Sequence, residues 1–437
     1  MSSDLRYLGA FRSSTYLFTT VFPVTFISRY FFQSSTYGTA VTITGNTASL
    51  TDVDFRDITH SGTTWTGTRL GDAGNNSGVT FSTPKTVYWN LTGSNNWNSN
   101  GWATTSSGTP ALANFPLAQD TATFTNTAPV AGSTVTLNVA YNLPAIDFSS
   151  RSNTLTFATG TIAPYAYGSI TLSSAITLTG TGIITWGHRS GTATITSAGR
   201  TWTQSFRFNS VGATVLFGDH FSATGASGIT HGYGTLNAQT YNVTCVTFTT
   251  SAVNSRTLSL GSGTWTITGS GASAWSALTT IGLTLNQGTS TISLTSASAK
   301  TFIGGAKTYY NLNQGGAGAL TISGNNTFNN ITNSVQPTTV TFTASSTNTF
   351  ANFSLNGTDG NLVTITSSTA GTAANIVKTG GKVNTVDYVS LQDSAASPAS
   401  IWYAGANSTN VSNNSGWIFS AAPILTQNYG NFLLFFG

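Results

Sequence analysis

Hydrolysis of a polysaccharide needs two carboxylates facing one cleft, so the acidic residues are where chemistry would show first. All eleven acidic residues are Asp. Between residues 130 and 360 only Asp147, Asp219 and Asp359 occur, far apart in sequence. Asp147 in "AIDF" reads as a turn or ladder residue. Asp219 and His220 in "GDHF" set an acid beside an imidazole, but Gly-Asp is an ordinary turn signal. The densest charge cluster is "TDVDFRDITH" at 51–60. If it alternates as a strand, Asp52, Asp54 and Arg56 share one face. An ion-pair network or a calcium site built on carboxylate oxygens would both use that pattern, and a structural turn or end-cap role is expected. Zinc would need several Cys or His at short spacing. The single Cys245, in "NVTCVTF", reads as a small core residue. No catalytic residue, metal ligand set or cofactor site is expected.

Aromatic rings offer a second chemistry, stacking against sugar faces. The chain has ten Trp, most of them expected in lids or cores. Trp265, Trp275, Trp402 and Tyr403 are the candidate glycan contacts. Outward Thr-x-Thr rows could order water as ice-binding solenoids do. That needs strict spacing and a flat face, and the repeats vary in length.

The elements that would carry such residues follow from composition. Charged residues make up 6%, against roughly 25% in ordinary soluble domains. Surface helices need Glu, Lys and Arg; here Thr, Val, Ile, Phe and Tyr dominate, which suits pleated, half-buried sheets. The net charge of +4 is dilute and forms no basic cluster that would track a phosphate backbone. Nucleic acid is therefore not an expected partner, and neither is membrane insertion. Residues 16–32, "YLFTTVFPVTFISRYFF", are interrupted by Pro23 and Arg29 and are short for a spanning helix. A packed or partner-docked segment is expected there.

Short runs alternating apolar and hydroxyl residues recur from about 120 to 390. "STVTLNV" (133–139), "GTATITS" (191–197), "STISLTS" (290–296) and "LVTITSS" (362–368) are examples, and each reads as a strand with one buried face. Phe302, Phe328 and Phe350 each follow such a run, at intervals of roughly 20 to 28 residues, the spacing of a coil. The expected fold is all-β, a right-handed parallel β-helix or β-solenoid with aromatic-rich end caps. About a dozen coils at about 4.8 Å each would give a rod of roughly 50 to 60 Å. A string of β-sandwiches is the rival.

"NNSGVTF" (75–81) and "NNSGWIF" (413–419) resemble one another, and each follows a "VTIT" run, a Val-Asp-aromatic triplet and an isolated Trp. The triplets are Val53-Asp54-Phe55 and Val386-Asp387-Tyr388; the tryptophans are Trp65 and Trp402. This order marks two copies of one module-closing element, with Asp387 at the place of Asp54. The chain is then divided into an aromatic N-terminal docking segment (1–40) and a truncated module closure (41–84). A Trp-rich opening cap (85–130), solenoid coils (131–385), a second closure (386–420) and an apolar tail (421–437) follow. Phe432, Leu433, Leu434, Phe435 and Phe436 would be an aggregation hazard if exposed, so they are candidate assembly contacts.

With Trp89-Asn90, Asn96-Trp97, Pro110 and "QDTATF" (119–124), the opening is similar to the start of autotransporter-type passenger solenoids, with Gln119 where Gly usually stands. Together with "VDYVSL" and "WYAGANSTNVSNNSGWIF", the chain resembles large β-solenoid structural proteins of tailed bacteriophages over roughly residues 41–437. That resemblance implies a non-enzymatic virion protein of tail-fibre or surface-appendage type, acting in host-surface adhesion. Other virion proteins, copies of itself and a host surface glycan or protein would be its partners. A bacterial cell-surface adhesin and a polysaccharide-depolymerising tailspike are the alternatives.

Overall fold

The computed structural model describes residues 29–45 and 49–423. The chain is an all-β parallel solenoid of about 17 turns. The alternating runs are its strands: Ser133–Thr136, Thr192–Thr196, Thr291–Leu294 and Val363–Ser367 all pair in parallel with the coils before and after them. Among the described strands the one antiparallel pairing is Thr86–Trp89 with Trp102–Ala103, in the opening cap. There Trp89, Trp97 and Trp102 pack edge to face at 4.8 to 5.0 Å and cover Phe124, so rings and a two-residue antiparallel strand together close the rod's first coil.

A coil such as Ile183–Trp186, Thr192–Thr196 and Thr201–Trp202 places one strand on each of three faces. From Lys300 to Ser354 a coil holds two strands, as in Leu320–Ser323 and Thr327–Asn333, and the second face ends; in the last coils Asn384–Thr385, Trp402–Tyr403 and Trp417–Ile418 add a separate parallel sheet. Inward residues form one core from Val87 to Trp417. Tyr309, Phe328 and Phe350 are register partners whose rings follow each other at 5.9 and 5.5 Å. Phe302, expected in the same series, stands on another face and stacks on Trp275 at 6.1 Å. Tyr309 takes its place, because ladder register and not distance along the chain decides which rings meet.

Irregular corners leave carbonyl groups that no strand satisfies, and buried cations meet several of them. Arg256 donates to the carbonyls of Thr250 and Thr279 (2.6 Å each) and of Asn254 and Ile281 (2.9 Å each). The Lys300 ammonium donates to the carbonyls of Gly318 at 2.6 Å and Ser296 at 3.0 Å.

Two closures are present, in a register different from the expected one. Asn75 and Asn413 both adopt a left-handed conformation (φ 57° and 52°). Asn76 accepts from the Ile58 N–H at 3.0 Å and donates to the Phe55 carbonyl at 2.8 Å. Asn414 accepts from the Ser394 N–H at 3.0 Å and donates to the Leu391 carbonyl at 2.7 Å. Asn75 donates to Asp57 at 2.8 Å as Asn413 does to Asp393 at 2.7 Å. Asp57 is therefore matched by Asp393, and Asp54 by Ser390, not by Asp387. Val41–Thr44 pairs with Ile58–Ser61 and so matches Ala374–Lys378, not the look-alike run at 363–366. Tyr30–Gln33 pairs with Val53–Arg56 as Val363–Ser367 does with Val389–Gln392. A boundary at residue 41 thus cuts through the first module, whose separate core includes Phe32, Ile43, Phe55 and Trp65.

Phe328→Ala removes the middle ring of the aromatic ladder and should cost about 3–5 kcal/mol of stability in denaturant unfolding, with Phe328→Leu losing less. His231 is fully buried, its Nε2–H donating to the Gly234 carbonyl at 3.1 Å. Burial, aided by Arg256, pushes its pKa down to about 4. The neutral ring therefore favours the fold above about pH 6.5, and this contribution is lost as pH falls through about 4. A loss on the order of 3 kcal/mol over that window should lower the apparent Tm, and His231→Gln should remove the step.

Candidate functional site

Two surfaces carry side chains in an order that the ladder imposes: the outer polar columns and the corner between the first and second faces. On the third face Thr264, Thr291, Asn311, Asn330 and Asn352 stand in register on five consecutive coils. Their amides form a chain: Asn311 donates to Thr291 Oγ1 at 3.0 Å, Asn330 to Asn311 Oδ1 at 2.5 Å and Asn352 to Asn330 Oδ1 at 2.7 Å. Two residues further along each strand, a second column runs from Thr201 to Ser354 and is Thr, Ser or Asn in every coil. The second face carries Thr192, Thr214, Thr235, Thr257 and Thr284 in one line. Varying repeat length does not break these columns, because the extra residues sit in the corners. Strands follow each other at about 4.8 Å, so the columns form a lattice of neutral donors and acceptors.

The corner is where the first module docks. Gln119 accepts from the Asp72 N–H at 2.8 Å and donates to the Leu70 carbonyl at 3.2 Å. One coil on, Asn142 donates to Asp54 at 2.9 Å. On the next coil the Arg56 guanidinium lies 3.4 Å from the Tyr167 hydroxyl and 5.4 Å from the Tyr165 ring centre, and 4.1 Å from that of Tyr37 in its own module. Burial raises the Tyr37 and Tyr167 phenols, so both remain neutral beside the cation. Arg189, on the following coil, is ion-paired with fully buried Asp57. Gly38 faces Val211, where an added Cβ would come within 2.6 Å of Cγ1. The Tyr37 ring packs, tilted, against that of Tyr233 at 5.6 Å. Successive residues 54, 56 and 57 thus meet successive coils, so the strand Val53–Arg56 runs along the rod and the two solenoid axes cross. A cleft of about 390 Å³ remains beside this junction, lined by Asp72, Gln119, Asp120, Tyr167, His188 and Arg189 among others.

The charge cluster at 51–60 therefore binds two modules together. Asp54 and Arg56 do share an outward face, but Asp52 lies before the strand in a left-handed turn (φ 59°). Arg69 holds Asp52 at 2.5 and 2.7 Å, and Arg29 pairs with both Asp52 and Asp54. These carboxylates are committed to guanidinium groups, the ion-pair reading and not the calcium one. The remaining acids are dispersed. Asp219 caps the Ser197 and Ala198 N–H groups at 2.7 and 2.6 Å, Asp147 caps Ser149 at 2.8 Å, and Asp120 pairs with Lys85 at 2.7 Å.

Three candidate glycan contacts are corrected. Trp265, Trp275 and Trp402 are fully buried in the core, because ladder positions that alternate with Thr point inward. Trp265 and Trp402 donate to the carbonyls of Leu260 and Ser397 at 3.0 and 3.1 Å. Tyr403 is half-buried. Phe432, Leu433, Leu434, Phe435 and Phe436, and residues 16–28, lie outside the described residues. Taken singly, Asn142, Tyr167, Arg189 and Tyr233 carry no signal in the sequence, and Gln119 stands out only as a departure from the resembled opening. Their joint signal is a corner position recurring every 22 to 25 residues from 119 to 233, polar or aromatic except at Val211, visible once the corners are known.

Asp57→Ala leaves Arg189 buried without its partner. It should cost about 3–5 kcal/mol at the junction, read as faster protease cleavage in the exposed linker 82–84. Asp57→Asn combined with Arg189→Met should cost less than the two single changes added. Comparison with protein-family models, with curated proteins and with solved structures gives no match.

Proposed function

We propose that this protein is a non-enzymatic structural rod of a bacteriophage virion, of tail-fibre or surface-appendage type, that adheres to the host through its neutral outer columns. The observation that carries the adhesive part is the lattice of Thr, Ser and Asn on the third face, uncharged and in register over consecutive coils. Such a lattice suits a neutral polyhydroxylated polymer, which offers donors and acceptors but no charge. A rod stiffened by continuous parallel ladders suits a protein that holds such a face away from a particle. The virion assignment rests on the sequence resemblance alone. A bacterial cell-surface adhesin would use the same surface.

The enzyme reading has less support. A depolymerase needs two carboxylates free to face one bond; Asp52, Asp54, Asp57, Asp120, Asp147 and Asp219 are spent on ion pairs and backbone caps, while Asp359 is an exposed turn residue.

Binding to a neutral host polysaccharide should be read by isothermal titration calorimetry on the full chain. Asn330→Lys with Thr332→Lys should weaken it at least tenfold, while affinity should change little between low and high salt, since no charge pair is screened. Unchanged binding by that variant would sink the reading, and release of reducing ends would turn it toward depolymerase. Antibody labelling of purified particles against labelling of bacterial cell surfaces separates the virion from the adhesin.

A further inference from the structure

The rod has a step where the second face ends. The strand Leu283–Asn286 pairs with Arg256–Ser259 on one side, and no described strand pairs on the other. The carbonyls of Gly282 and Asn286 accept from Arg256 and Leu260. By the alternation of a parallel ladder, the N–H and C=O of Leu285 then face the open side. Lys307 donates to the Leu283 carbonyl at 3.2 Å, a blunting of the edge that leaves Leu285 uncovered. The inward row Val215, Leu236 and Leu258 is fully buried and continues to Leu285, which is only half-buried.

An apolar ledge adjoins this edge. The corner loops 250–255 and 277–282 stack on each other through Arg256. They expose Val253 (64%), Leu278 (69%) and Ile281 (68%), three of the seven large hydrophobic residues exposed among the described residues. This is the corner that receives the first module, in the two coils directly beyond Tyr233.

An open strand edge beside an apolar ledge is the geometry of strand addition. The incoming strand must place one side chain over Leu285 and others over Leu278 and Ile281, so it must be apolar on both sides. Phe432–Phe436 is such a stretch, five consecutive apolar residues. We propose that the edge Leu283–Asn286 is a strand-docking site and that its occupant is Phe432–Phe436 of a second copy of this chain. The second copy follows from reach. The docked strand would lie level with Lys300–Ile303, and five ladder steps separate that coil from Thr409–Ser412, about 24 Å along the rod. Nine residues from Pro423 to Phe432 extend to at most about 32 Å, so the same chain would have to run close to fully extended while also passing around the rod from the separate sheet of Trp417–Ile418 to the second face.

The test mixes full-length chain carrying Ile281→Cys with chain carrying Phe435→Cys under mild oxidation; native Cys245 is buried. A disulfide-linked dimer is expected on a non-reducing gel. Val130→Cys, at another exposed apolar position, should give none with Phe435→Cys. In sedimentation, the unmodified chain should self-associate with concentration. Leu278→Lys with Ile281→Lys should weaken that association at least tenfold with an unchanged circular dichroism spectrum. No dimer, equal linking at Val130, or association indifferent to the Lys changes overturns the site. A chain carrying both Ile281→Cys and Phe435→Cys that closes on itself at high dilution overturns the second-copy occupant.

Discussion

Each coil of a parallel solenoid must offer the next an unbroken row of N–H and C=O groups, about 4.8 Å away and in register. Everything else in this molecule accommodates that row. Inward side chains stack because the ladder puts them above one another, and Tyr309, Phe328 and Phe350 stack as rings for no other reason. Outward side chains form columns whether or not the sequence repeats strictly. Differences in coil length are pushed into the corners, where stranded carbonyls accumulate and buried Arg256 and Lys300 meet them. A buried cation held by neutral oxygens, with no carboxylate, is costly to desolvate, which marks how firmly the neighbouring strands fix those corners.

The strands were legible in the sequence because alternation of Thr with Val, Ile or Leu is a local signal. Equivalence between coils was not. The run "VTIT" occurs at 41–44 and at 363–366, yet the two stand on different faces of their modules. The pairing of the closures is carried by Asn76 and Asn414, whose amides bridge three backbone or side-chain partners each. Resemblance of short apolar runs is cheap in a Thr-rich chain, whereas a left-handed Asn followed by a bridging Asn is not.

The surface tryptophans were misplaced for a related reason. A ring in a strand of hydroxyl residues looks like a contact offered to solvent, but period-two alternation puts the large apolar member inside. The reverse signal stands at Asp54 and Arg56. These are outward positions that elsewhere carry Thr or Ser, and charge there meant a covered face. Their counterparts Ser390 and Gln392 in the second closure keep the ordinary polar pattern and are half-buried.

The crossed junction also alters how the rod would bear force. Coils joined only to their neighbours separate one at a time when pulled from an end, like a zip. The first module lies across six coils and is fastened to them at Gln119, Asn142, Tyr167, Arg189, Val211 and Tyr233. Tension entering through residue 29 would load these contacts together and sideways, in shear, before it could peel any single coil. The module therefore acts as a splint over the part of the rod nearest the point of pull.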